Sequence, residues 1–214
     1  MEPVSPLRVC ALAAAGLLLS ACGAITPGAA ATVDDHTISM STLDDTARVY
    51  CEVTALQAQQ QGVQSVDNAQ IRRQAATDLV LTRVAEDLAT ERGLTAPPPV
   101  EADPTQLVDA FGADRAPEVA ETLGAAQDLY NLFAVIAADD RGVKVTDENS
   151  EDLADAGRTI VLAAFADHDV EFAPRLGLSD SGEADGSIGS LSVAPADTDA
   201  PAGDELAGPL ACRA

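Results

Sequence analysis

The stretch NAQIRRQAATDLVLTRVAEDLATERG, residues 68–93, decides the fold class. Ile71, Ala75, Leu79, Val84 and Leu88 recur near the 3.6-residue helical period, and Gly93 stands where a left-handed C-cap belongs. The spacing predicts an amphipathic helix from Asn68 to Arg92. A helix with one apolar face must bury that face against other elements.

Toward the N-terminus, Ala31-Thr32-Val33-Asp34-Asp35-His36-Thr37-Ile38 reads as a short strand, a polar turn and a second extended piece. Ser39 or Ser41 then caps a helix that begins near Thr42. This helix carries Leu43, Ala47, Tyr50, Cys51 and Leu56 and stops at Gln59-Gln60-Gln61-Gly62. In the other direction, Pro97-Pro98-Pro99 forbids helix, and Asp103-Pro104 opens a short one. Residues 117–138 form the most apolar helix after the N-terminal segment, with Leu123, Ala126, Tyr130, Phe133 and Ala137 on one side, widened by Leu129, Leu132 and Ile136. Asp139-Asp140-Arg141-Gly142 ends it, and residues 143–145 read as extended. Thr146-Asp147-Glu148 opens a last helix to about residue 166, and Val170-Glu171-Phe172 alternates as a strand. The Asp/Gly/Ser-rich stretch 180–189 is a loop, 188–193 a return strand, and the Ala/Pro/Asp/Gly-rich stretch 194–209 predicts no packed structure. The expected fold is therefore mainly α.

Composition narrows the function. The 214-residue chain has 12 Lys+Arg against 35 Asp+Glu, a net charge of -23, so it repels phosphates and is not a nucleic-acid binder. Its 47% hydrophobic residues include 42 Ala and only 3% aromatics, which favours helices with a thin core.

Residues 1–21 begin polar, with the single base Arg8, and continue as an apolar run over 9–19 that is too short to span a bilayer. A processed signal follows. Leu19-Ser20-Ala21-Cys22 then resembles the lipobox of bacterial lipoproteins, the alternative being an ordinary signal peptide with a coincidental Cys. The resemblance implies that Cys22 receives a diacylglyceryl group and becomes the first residue of a chain anchored at the extracytoplasmic face of the cell membrane. Residues 22–32, small or flexible, then serve as the lipidated tether. With Cys10 removed and Cys22 acylated, Cys51 and Cys212 remain, and in an oxidising compartment a disulfide between them is the reading, against two unpaired thiols. It would tie down the tail 194–214.

Three stretches resemble the N-terminal chaperone domain of the SurA family of periplasmic folding factors, in a short lipoprotein form. The first is residues 31–44, with the family's strand, turn and Ile-Ser/Thr opening; Asp34-Asp35 stands where many members have Asn-Gly. The second is Leu79-Val80 followed by Ala89-Thr90-Glu91-Arg92-Gly93-Leu94. The third is Val170-Glu171-Phe172-Ala173-Pro174-Arg175-Leu176-Gly177, where Leu176 replaces the usual aromatic. The resemblance implies a helical domain over 33–193, with a small β element joining the first strand to the strand after the last helix. It also implies binding of unfolded or nascent exported polypeptides. Too few residues follow Phe165 for a parvulin domain, so no prolyl isomerase activity is expected. The rival reading is a scaffold or adaptor lipoprotein that binds one folded envelope partner.

Leu129, Tyr130, Phe133 and Ile136 carry two readings, core of a domain short of bulk or contacts for a client chain. His36 and His168 each lie beside carboxylates, yet their spacing matches no zinc or copper motif. The order of residues 180–187 departs from the EF-hand pattern. There is no Gly-x-Ser-x-Gly elbow, no recognisable triad and no phosphate loop, so no catalytic residue, metal or cofactor is expected.

Overall fold

The computed structural model describes residues 27–63, 66–184 and 211–212. The signal 1–21, the lipid-attachment residue Cys22, the return strand 188–193 and the stretch 194–209 lie outside the described residues.

The protein is mainly helical. Helix α1 runs Met40–Gln60, with the Ser39 hydroxyl accepting the Thr42 amide at 3.0 Å. Helix α2 is Asn68–Arg92, capped by the Asp67 carboxylate on the Ala69 amide at 2.8 Å and ended by Gly93 at φ 65°. Helix α3 is Pro104–Phe111, with Asp103 accepting the Thr105 amide at 2.8 Å. Helices α4, Ala116–Arg141, and α5, Ser150–Ala164, pack closely against each other. Gly93 and Asp103 are the caps that the sequence announces, whereas the Asp67 cap of α2 is added by the structure.

Strands β1, Ala29–Val33, and β2, His36–Ser39, make a hairpin. Strand β4, Val170–Phe172, pairs antiparallel with the other edge of β1, placing Ala31 opposite Phe172 and Val33 opposite Val170. The first strand thus meets the strand after the last helix, as expected. This small sheet packs on α2, and Leu43, Val80, Leu81, Val84, Ile136, Leu153 and Val161 fill the space between the helices. Phe133, Phe165 and Phe172 supply the bulk that the many alanines lack.

Four boundaries differ from the sequence reading. The tether cannot extend to residue 32, nor the domain begin at 33, because Ala29, Ala30 and Ala31 are buried in β1. Small side chains there let the central strand approach α2. Next, Thr146-Asp147-Glu148 leads into a turn over 147–149 rather than opening α5, which starts at Ser150. The Asn149 side chain explains this: it accepts the Thr146 amide at 2.7 Å and donates to the Lys144 carbonyl at 3.0 Å, which holds the turn closed. Third, α5 ends at Ala164 and gives way to a 3₁₀ turn, Phe165–Asp167. Last, Ala211–Cys212 is strand β5, paired antiparallel with β3, Val66–Asp67. Cys212 is bonded to Cys51 on α1, with 5.2 Å between their Cα atoms. It is buried beside Ala55 and Ile71.

Candidate functional site

Helices α1 and α4 are joined at one end by a small apolar cluster of Val49, Leu107, Ala116 and Val119. Ion pairs reinforce the junction: Arg48 to Glu118 at 2.5 Å, Arg115 to Glu52 at 2.7 Å, and Arg115 to Glu118. The Glu118 carboxyl is held below its ordinary value, first by the hydrogen bond from Arg48 and then by the Arg115 and Arg48 charges.

Alongside this junction a cleft of about 580 Å³ opens between α1, α2 and α4, with Leu79, Ala126 and Leu129 among its apolar lining. A second opening of about 380 Å³ continues it toward Ala154, Asp155 and Arg158 on α5. The two share Tyr50, Asp78, Ala126 and Leu129 and adjoin along these residues, together called the groove. Helix α4 supplies lining from Glu118 to Phe133 at steps of one to four residues. At 1.5 Å per residue that stripe is about 22 Å long, the span of about six or seven residues of extended chain.

Tyr50 and Asp78 face each other at the middle of the groove. Burial, then the charge and hydrogen bond of Asp78, push the Tyr50 phenol well above its ordinary value, so it stays protonated and acts as a donor. Burial likewise raises the Asp78 carboxyl, partly offset by the Arg158 charge and the Tyr50 hydrogen bond. A protonated phenol beside this carboxyl offers hydrogen bonds at the middle of the groove.

Of the four side chains considered as client contacts, Leu129, Tyr130 and Phe133 line the groove and Ile136 does not. Ile136 is 0% exposed and belongs to the core. Leu129 and Phe133 offer only an edge, being buried, while Tyr130 is half-buried. Burial and the carboxylates of Glu151, Asp155 and Asp152 raise the Tyr130 phenol as well. The sequence reading gave Tyr50 to the core and passed over Asp78. A signal for Asp78 was present: Ile71, Ala75, Asp78 and Thr82 share one stripe of α2, two polar residues on a face that otherwise packs.

His36 and His168 are not brought together as a pair of ligands. His168 Nδ1 instead meets the Asp34 carboxylate at 2.7 Å, and the other Asp34 oxygen accepts the Asp169 amide at 2.9 Å. Among the described residues no group of three or more His, Cys, Asp or Glu is placed to hold a metal. No helix among them is long and apolar enough to cross a membrane. Comparison with protein-family models, curated proteins and solved structures returns no match to this chain.

Proposed function

We propose that this protein is a membrane-anchored, extracytoplasmic lipoprotein with a SurA-like chaperone domain that holds segments of unfolded exported polypeptides without prolyl isomerase activity. The observation that carries the reading is the groove: its two adjoining openings are lined along about 22 Å of α4, room for a short extended segment, by apolar side chains beside hydrogen-bonding groups. Extended chain needs both, since its backbone must be solvated or paired while its side chains seek apolar contact. The Cys51–Cys212 bond supports an oxidising, extracytoplasmic setting. The net charge of -23 would keep complexes with a sticky client dispersed.

The test is suppression of aggregation of several unrelated unfolded proteins by the mature chain, compared with the variant Ala126→Trp. Ala126 lines both openings and is half-exposed, so a large ring there fills the groove without entering the core. Suppression lost in the variant, with its melting temperature kept, supports the proposal. Failure to protect any client, together with capture of a single folded envelope protein, would establish the adaptor reading instead.

A further inference from the structure

We infer that the groove prefers polypeptide segments in which basic side chains flank an apolar middle, an inference that rests on the peptide-holding reading above. The charges along its walls do not cancel. Arg48 is engaged by Asp45 at 2.8 Å and Glu118 at 2.5 Å, and Glu118 also by Arg115, itself paired with Glu52, so these two arginines and three carboxylates together remain anionic. Arg158 directs its charge to Asp78. Glu121 and Asp155, both exposed at the rim, have no ion-pair partner among the described residues. They stand on α4 and α5, toward opposite ends of the groove, with the apolar surface of Leu79, Ala126 and Leu129 available between them.

An entering segment therefore meets carboxylates at its flanks and an apolar surface beneath its middle. A lysine or arginine at either flank gains a partner while its aliphatic stem covers apolar surface. An acidic segment meets like charge at the rim and in the whole protein's field. The groove is thus complementary to basic, apolar stretches, and it discriminates by charge as well as by fit.

The experiment uses the mature chain and three labelled seven-residue peptides of identical leucine content, with lysine, glutamine or glutamate at the remaining positions. Fluorescence anisotropy at low ionic strength should rank them basic, neutral, acidic, with the basic peptide about tenfold tighter than the neutral one and the gap closing as salt is raised. The double variant Glu121→Gln with Asp155→Asn should weaken the basic peptide about fivefold and the neutral one less than about twofold. A matched variant off the groove, Asp140→Asn with Asp147→Asn, should weaken the basic peptide less than about twofold. Equal affinity for basic and neutral peptides, or equal loss in the two double variants, overturns the charge preference while the peptide-holding reading stands. If no peptide of any charge binds, both fall.

Discussion

Gly157 on α5 lies against the main chain of Phe133 on α4, so closely that a Cβ at position 157 would occupy the space of the Phe133 carbonyl. This is the tightest helix crossing that any glycine marks among the described residues, and it sets how near α5 comes to α4. Because Phe133 also lines the groove, the crossing fixes one groove wall as well as the core.

Replacing Gly157 by Ala should therefore cost about 2 kcal/mol or more, since the overlap is with backbone and cannot be relieved by turning a side chain. Gly124, in the same helix as Phe133, has nothing within 4 Å of the position a Cβ would take. Gly124→Ala should stabilise by about 0.5–1 kcal/mol, the helix-propensity difference alone. Denaturant unfolding of both variants checks the pair, and similar shifts would show that the two helices do not cross as described.

The disulfide closes a loop of 161 residues in sequence separation, for which chain entropy gives an upper value of about 5 kcal/mol. Cys51→Ser, Cys212→Ser and the double variant should lower the melting temperature by the same amount, because all three remove one bond. Reductant should shift only the wild type. Additive losses in the double variant would mean that each cysteine acts separately.

Asp78 should reduce stability at neutral pH. Its folded-state pKa is raised above the ordinary 3.8, mainly by burial, so the folded state holds the proton more tightly than the unfolded chain. Stability is then highest below the unfolded value and declines as pH rises through the folded one. Asp78→Asn removes this penalty and still accepts from Tyr50, so its melting temperature at pH 7 should exceed that of the wild type, with the difference vanishing in acid. A variant less stable than wild type at pH 7 would contradict the burial argument.

Asp34 should act in the opposite sense. Hydrogen bonds from His168 and from the Asp169 amide hold its carboxyl below 3.8, so its contribution is present above the unfolded value and lost as pH falls through the folded one. It also sits at φ 51°, a conformation that Asn tolerates and Ala resists. Asp34→Asn should blunt the acid loss of stability and keep the hairpin, whereas Asp34→Ala should weaken the fold across the pH range. Thermal melts from pH 2 to pH 7 distinguish the two.

Local chemistry was legible in the chain itself. Asp103, Gly93 and Gly142 punctuate helices because capping depends on residues within one turn of one another, and the apolar period of α2 depends on one element alone. The pairing of Cys51 with Cys212 was legible too, since with Cys10 read as removed with a signal and Cys22 as acylated only one pair remains. The tertiary structure decided what joins distant parts. Asp34 meets His168 across 134 residues, β5 finds β3, and Gly157 finds Phe133, and no local pattern marks such partners. The groove belongs to the same class. Tyr50 reads as core on α1 and Asp78 as one more acid in a chain rich in them, and they come to the centre of the groove only because α1 and α4 join at one end and leave the space between them and α2 open. Helix caps and periods are short-range and survive in the unfolded sequence as bias, whereas a groove is the part of the packing left unfilled, which exists only once every helix has its neighbours.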